Sequence, residues 1–130
     1  MVTDPISNMI IQLKNAGMAK RPSTIFPASE LKFAIAEKLK QVGYLKSVTR
    51  RGKKVKKSLE AELFYHNGVS KITEVKRISK PSQRVYHRVH QIHSVRQGHG
   101  LAIYSTPLGI LTDKEAREQK VGGEILFKIW

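Results

Sequence analysis

Two neighbouring hydroxyl side chains, Ser105 and Thr106, stand just before Pro107 and Gly109 near the end of the chain. A hydroxyl both donates and accepts hydrogen bonds, so this pair can contact a ligand that presents both kinds of group. Proline fixes φ and removes an amide donor, while glycine lets another backbone approach closely. We therefore expect residues 105–109 to form a loop of restricted freedom that presents both hydroxyls.

Three histidines, His87, His90 and His93, recur at every third position. This spacing would bring them near one another on a helix, and imidazole is both a common metal ligand and a common general base. However, no carboxylate or thiol lies nearby in the sequence to complete a metal site, and Arg88 and Arg96 add positive charge. We expect no bound metal and no cofactor here, and interpret the histidines as a polar surface.

Other patterns typical of enzymes are missing from the sequence. There is no P-loop, no dinucleotide fingerprint and no nucleophile with an adjacent base. The chain has no cysteine, which excludes disulfides, thiolate metal sites and cysteine nucleophiles. We expect a protein that is not an enzyme, with one alternative, a basic RNA-processing nuclease that uses the cluster of His87, His90 and His93.

The charge of the chain points to a polyanionic partner. Its 130 residues include 24 Lys+Arg against 10 Asp+Glu, a formal net charge of +14. Such a charge favours nucleic acid as the partner of a compact domain. No apolar stretch approaches the roughly 20 residues of a membrane-spanning helix, and the N-terminus does not resemble a secretory signal. We therefore expect an intracellular protein without a membrane partner.

A dense cluster of cations lies between residues 46 and 57. This stretch holds seven Lys or Arg residues around Gly52 and no acidic residue. It is interpreted as a hairpin whose tip is too highly charged to be buried. Lys53 and Lys54 at this tip would contact phosphate without reading sequence.

The first half of the chain, residues 1–68, is expected to place two helices on a three-stranded sheet. Asp4-Pro5 is a typical helix start, and Ser29 can cap a second helix that Gly43 ends. The proline of residues 25–27 marks an edge strand, and apolar alternation from residue 59 to 65 indicates another strand. A turn at residues 67–68 marks the boundary between two subdomains. The apolar face of the first helix consists of Ile6, Met9, Ile10, Leu13, Ala16 and Gly17.

The second half, residues 69–130, is expected to be mostly β with one short helix, which makes the fold class α+β. Strands are predicted at residues 72–78, 101–104 and 124–130. Thr112 and Glu115 have the spacing of a capping box, so a short helix should begin at Asp113. Alternation on the last strand places Ile125 and Phe127 on one face.

The stretch from residue 101 to 130 also carries a specific pattern. Apart from Pro107, residues 105–117 fit Ser-Thr-Ser-x-Gly-(Ile/Val)-(Met/Leu)-Thr-Asp-x-(Glu/Ala)-Ala-Arg, and Gly-Gly-Glu-Ile follows at residues 122–125. This combination resembles the C-terminal signature of the small-subunit ribosomal protein eight family of bacterial and organellar type. Residues 79–86 are similar to the family's Ser-Lys-Pro-Gly-Arg-Arg-Val-Tyr, with Ser82 and Gln83 replacing its glycine and first arginine. At Pro107 the usual serine hydroxyl and amide are lost.

The resemblance implies a structural constituent of the small ribosomal subunit that binds the central domain of its ribosomal RNA and supports assembly. It implies contact with neighbouring small-subunit proteins, protein five among them, in the bacterial cytoplasm or in an organelle (mitochondrion or plastid). Residues 69–130 would be the RNA-binding subdomain. The expected RNA-binding residues are Ser105, Thr106, Pro107, Gly109, Glu124, Lys80, Arg84, Tyr86, Lys53 and Lys54.

Two of these contacts have alternatives in the sequence. An aromatic ring can stack on an unpaired base, and either Tyr86 or Tyr104 can supply it or fill the core instead. Glu124 repels phosphate unless it accepts from a base amino group or a 2′-hydroxyl. It can otherwise pair with Arg117 or Lys120.

Overall fold

The computed structural model describes residues 4–52 and 57–130 of the chain. It contains three α-helices and several antiparallel sheets, which confirms the predicted α+β class. The chain divides into two compact units, Ile6–Thr73 and Glu74–Trp130, and residues 4–5 belong to the second. Within the described ranges, no helix has the length and apolar character needed to cross a membrane.

The unit Ile6–Thr73 has two helices that pack on a three-stranded antiparallel sheet of order β1-β3-β2. A two-stranded hairpin, β4-β5, follows the sheet. The elements are α1 (Pro5–Met18), β1 (Ser23–Pro27), α2 (Glu30–Gln41), β2 (Leu45–Arg51), β3 (Ser58–Leu63), β4 (Tyr65–His66) and β5 (Val69–Ser70).

Local sequence signals account for most of this unit. α1 buries the six residues that its helical spacing predicted. The Ser29 hydroxyl caps α2 by accepting from the Lys32 amide at 3.1 Å. β1 is an edge strand, as its proline predicted. Asn67 and Gly68 both have positive φ, the conformation of a tight type I′ hairpin turn between β4 and β5.

The unit containing Glu74–Trp130 is built around its last strand. The elements are β6 (Val75–Arg77), β7 (Tyr86–His87), β8 (Leu101–Thr106), β9 (Gly109–Thr112), α3 (Asp113–Gln119) and β10 (Gly123–Ile129). β10 pairs with β8 along one edge and with both β6 and β7 along the other. The predicted capping box begins α3, with reciprocal bonds between Thr112 and Glu115.

A bulge in β10 changes the predicted alternation of its side chains. The pairing register with β8 shifts between Ile125 and Phe127. The intervening Leu126 carbonyl accepts from the Ile78 amide at 3.1 Å and from Arg77 Nη1 at 2.5 Å. As a result Ile125, Leu126 and Phe127 are all buried. The regular alternation expected along this strand is therefore interrupted at Leu126.

Two other expectations about strands hold only in part. The loop expected over residues 105–109 is limited to the turn at Pro107 and Leu108, because Ser105 and Thr106 end β8 and Gly109 begins β9. Ser105 lies in ladders with Ile110 and Glu124, so pairing on both sides outweighs the local turn preference of its sequence. The strand expected at residues 72–78 is limited to β6, since pairing with β10 covers only Val75–Arg77.

Candidate nucleic-acid interface

Three of the predicted site residues lie in one row across three strands. Glu124 is paired with Tyr86 on β7 and with Ser105 on β8. Residues directly opposite each other in antiparallel strands share a face of the sheet. Tyr86, Glu124 and Ser105 therefore form a continuous row on one face, which we call the Glu124 row.

Glu124 is held by side chains from the turn that precedes β7. Its Oε2 accepts from Ser79 Oγ at 2.5 Å and from Arg84 Nη1 at 3.0 Å. The Ser79 hydroxyl also accepts from the Val85 amide at 3.0 Å. Both bonds to Glu124 use the same oxygen, so its Oε1 lies outside this network, on a side chain that is 14% exposed.

The charge of Glu124 is stabilised by these neighbours. Partial burial raises the pKa of Glu124. Hydrogen bonds from Ser79 and Arg84, together with the charges of Arg84 and Arg77, lower this pKa by more than burial raises it. The net result is a pKa of Glu124 below its ordinary value. The hydrogen bond between Arg84 and Glu124 also raises the pKa of Arg84. The carboxylate is thus an ionised acceptor at neutral pH.

Sequence reasoning missed the partners of Glu124. Arg117, one of the expected alternatives, bonds Asp113 at 3.1 Å instead. Ser79 was not expected to be a site residue, yet it is fully buried and contacts Glu124 directly. The available signal was its position at the start of the Ser-Lys-Pro turn.

The predicted hydroxyl residue Thr106 belongs to a tight turn between β8 and β9. Thr106 Oγ1 donates to the Gly109 carbonyl at 2.8 Å and accepts from the Leu108 amide at 3.1 Å. Gly109 has φ of +110°, which favours glycine. Pro107 and Leu108 lie exposed at the tip. The Thr106 hydroxyl therefore fixes the shape of the turn beside the Glu124 row.

The glycine pair before Glu124 allows close packing of three strands. A Cβ on Gly123 would lie 2.3 Å from the Ser105 carbonyl oxygen, and one on Gly122 would lie 2.5 Å from that of His87. Any larger residue would push β10 away from β8 or from the chain at β7. The spacing of the Glu124 row depends on these two glycines.

The two candidate tyrosines have different environments. Tyr86 is 68% exposed at one end of the Glu124 row, so its ring is available for stacking on a base. Tyr104 is 1% exposed and belongs to the hydrophobic core. Burial and the charge of Asp113 raise the pKa of Tyr104 to about 12. Its protonated hydroxyl is hydrogen-bonded to His87 Nδ1 at 2.9 Å.

The histidine pattern does not form a single helical face. His87 lies on β7, His90 lies in the short 3-10 helix Val89–Gln91, and His93 follows outside it. Across the described part of the chain, no set of three His, Cys, Asp or Glu side chains is arranged to hold a metal ion. No single helix therefore carries His87, His90 and His93.

The remaining predicted residues fall in two places. Lys80 and Arg84 are exposed in the turn before Tyr86, beside the Glu124 row. Lys53 and Lys54 lie outside the described residues. The described site thus combines the hydrogen-bonded carboxylate of Glu124 with exposed cations, the exposed ring of Tyr86 and the turn that the Thr106 hydroxyl stabilises. These groups suit the base edges, ribose hydroxyls and phosphates of RNA.

Comparison with known proteins gives consistent matches over the chain. A family model described as Ribosomal protein S8 matches residues 4–130. The small ribosomal subunit protein uS8 of Mycoplasma mobile is 45% identical over 130 residues, covering 100% of this chain and 98% of that protein. The uS8 proteins of Corynebacterium efficiens and of Ruthia magnifica subsp. Calyptogena magnifica are 45% and 42% identical, each covering 99% of this chain and 98% of the relative.

Proposed function

Since the chain belongs to the ribosomal protein S8 family, we propose that it binds the central domain of small-subunit ribosomal RNA and supports its assembly. Members of a ribosomal protein family generally have a structural rather than a catalytic role. A structural role in the small subunit therefore applies to this chain, and RNA recognition through the Glu124 row is the finer proposal.

The observation that carries this proposal is the continuous row of Tyr86, Glu124 and Ser105. An ionised carboxylate on an RNA-binding surface is unfavourable unless it accepts hydrogen bonds. Glu124 Oε1 is suited to accept from a base amino group or a 2′-hydroxyl, while Arg84 offsets the charge. This arrangement favours recognition of an irregular stem over purely electrostatic binding.

Each neighbour of Glu124 has a complementary proposed role. Tyr86 stacks on an unpaired base, and Ser105 contacts a ribose or base edge from the opposite end of the row. Lys80 and Arg84 contact phosphate beside it. The turn of Thr106, Pro107 and Gly109 fits against the RNA backbone. Lys53 and Lys54 stay proposed phosphate contacts from the other half of the chain.

The nuclease alternative gains no support from these residues. Its proposed general base was His87, His90 or His93, and the three lie on different elements rather than in one cluster. The proposed protein partner is small-subunit protein five, as the family resemblance implies. The three relatives named above are bacterial, which favours a bacterial ribosome over a mitochondrial or plastid one.

The decisive experiment measures binding to a transcript of the central-domain stem across a salt series, with excess transfer RNA as competitor. Tyr86→Ala and Tyr86→Phe are compared with the unaltered protein, since Tyr86 is exposed and its substitution leaves the core intact. We expect affinity that survives competitor, a loss of about tenfold for Tyr86→Ala, and little change for Tyr86→Phe.

Two results would contradict the proposal. Stem affinity that falls to the level of transfer RNA would leave only non-specific binding by a basic protein. Full affinity of Tyr86→Ala would exclude stacking at this end of the Glu124 row.

A further inference from the structure

A cleft in the unit Ile6–Thr73 lies apart in the sequence from all the residues of the Glu124 row. Its volume is about 350 Å³, and it lies where α2 begins, beside the end of β2 and the start of β3. The residues that matter to its chemistry are Ser29, Phe33, Arg50, Arg51, Lys57 and Leu59. The lining also includes Glu30, so the cleft combines apolar side chains with three cations and one carboxylate.

Arg50 and Phe33 form a stacked pair in this cleft. The guanidinium carbon of Arg50 lies 3.8 Å from the centroid of the Phe33 ring. Arg50 is paired with the fully buried Leu59, so both lie on the same face of the sheet. The Arg50 side chain is nevertheless 56% exposed, which leaves part of the guanidinium accessible. A guanidinium plane backed by an aromatic ring is a platform on which a base can stack.

The charges around the cleft favour an anionic ligand. Arg50, Arg51 and Lys57 contribute three cations. Glu30 lies 3.6 Å from Arg50 but is 92% exposed, so this ion pair is weak. Arg51 is paired with Glu60 at 2.9 Å. The cleft thus retains positive charge next to the stacked pair.

We propose that this cleft binds one unpaired nucleotide of RNA. The base stacks on Arg50, which Phe33 supports from the other side, and the phosphate lies next to Lys57 and Arg51. The volume falls in the range of small-ligand sites, about 300 to 1,000 Å³. An acidic peptide would be attracted by the same charges but has no base to stack on the Arg50–Phe33 pair. The stacked pair therefore favours a nucleotide. This contact does not depend on recognition of a stem by the Glu124 row.

The test uses the whole protein and a short, unstructured oligouridylate that carries one 5-iodouridine. Ultraviolet cross-linking followed by trypsin digestion separates the two possible aromatic sites. Phe33 lies in the peptide 33–38, whereas Tyr86 lies in the peptide 85–88. We expect the cross-link in a peptide that contains Arg50, on which the base lies, or in the peptide 33–38 that holds Phe33 directly behind it.

Affinity for the oligouridylate is then measured for substituted chains. Arg50→Ala should weaken binding about tenfold, and Phe33→Leu should weaken it in the same direction because it keeps the apolar packing but removes the ring. Arg50→Lys should also lose most of this affinity, since lysine keeps the charge without the planar group. Lys46→Ala is the matched control, an exposed cation on the same strand that is not part of the cleft, and should change affinity less than about twofold.

A cross-link confined to the peptide 85–88, or full affinity of Arg50→Lys, would overturn the proposal. The second result would show that charge alone attracts the oligonucleotide. Binding of the central-domain stem is measured in parallel with the same variants. If the protein does not recognise the stem but binds oligouridylate in a way that depends on Arg50, the proposed function is rejected and the nucleotide site in the cleft is retained. If it recognises the stem but its oligouridylate binding does not depend on Arg50, only the nucleotide site in the cleft is rejected.

Discussion

Ser79 Oγ donates to Glu124 Oε2 at 2.5 Å, although 45 positions separate the two residues in the chain. The same serine hydroxyl accepts from the amide of Val85, the residue immediately before β7. One buried hydroxyl therefore joins the start of β10 to the turn that carries Lys80 and Arg84. This contact fixes where the exposed cations lie relative to Glu124.

Replacing Ser79 with alanine tests this connection. The substitution removes a hydrogen bond to a charged group and leaves the Val85 amide without its acceptor. We expect the free energy of unfolding to fall by about 2 kcal/mol and affinity for the stem to fall with it. Urea denaturation and stem binding measure the two effects. Ser82→Ala, at an exposed serine of the same turn, is the control, and equal behaviour of the two variants would exclude a special role for Ser79.

The lowered pKa of Glu124 predicts a particular pH dependence of stability. The carboxylate has a lower pKa in the folded protein than its ordinary value of 4.5. Its contribution to stability is therefore fully present above that ordinary value, and it is lost as the pH falls through the folded-state pKa. The difference in unfolding free energy between the unaltered protein and Glu124→Gln should shrink at acidic pH.

Denaturation of both proteins between about pH 3 and pH 7 measures this difference. Glu118→Gln provides an exposed control on the same unit. A difference for Glu124→Gln that stays constant over the whole range would show that its charge does not stabilise the fold.

Replacing Thr106 with alanine separates recognition from turn structure. The Thr106 hydroxyl holds the turn through Leu108 and Gly109. We expect affinity for the stem to fall by about 1 to 3 kcal/mol, with little change in binding to transfer RNA. Thr106→Ser keeps the hydroxyl and should retain most of the affinity. Equal losses on both RNAs for Thr106→Ala would reject a specific contact here.

Replacing Gly123 with alanine tests the close approach of β8 and β10. The new Cβ would lie 2.3 Å from the Ser105 carbonyl oxygen, so one strand must move. We expect a loss of about 1 to 3 kcal/mol in unfolding free energy together with weaker stem binding. Gly68→Ala meets no atom within 4 Å but has φ of +77°. This control should lose about 1 kcal/mol from backbone strain and leave stem affinity unchanged.

Local signals in the sequence predicted much of the fold. The buried face of α1, the Ser29 cap of α2, the edge position of β1 and the capping box of α3 each depend on residues within a few positions of one another. Helical spacing and side-chain capping are physical properties of short segments, so they can be read from the sequence.

The incorrect predictions concern contacts between distant segments. Ser105 and Thr106 have the local composition of a loop, but ladder pairing to both neighbouring strands makes Ser105 part of β8. The bulge in β10 depends on pairing with β8. The Leu126 carbonyl at this bulge accepts hydrogen bonds from Arg77 and Ile78, almost fifty positions earlier in the chain. The sequence also offered Arg117 or Lys120 as a partner for Glu124, whereas the observed partners come from the turn before β7.

The central position of β10 has a consequence for the order in which the protein matures. β10 follows β6, β7 and β8 in the chain, yet each of these strands pairs with it. During synthesis the five-stranded sheet therefore cannot close until the residues of β10 have left the ribosome that makes them. The Glu124 row forms only after that step, so a nascent chain that lacks β10 cannot make the proposed RNA contact through it.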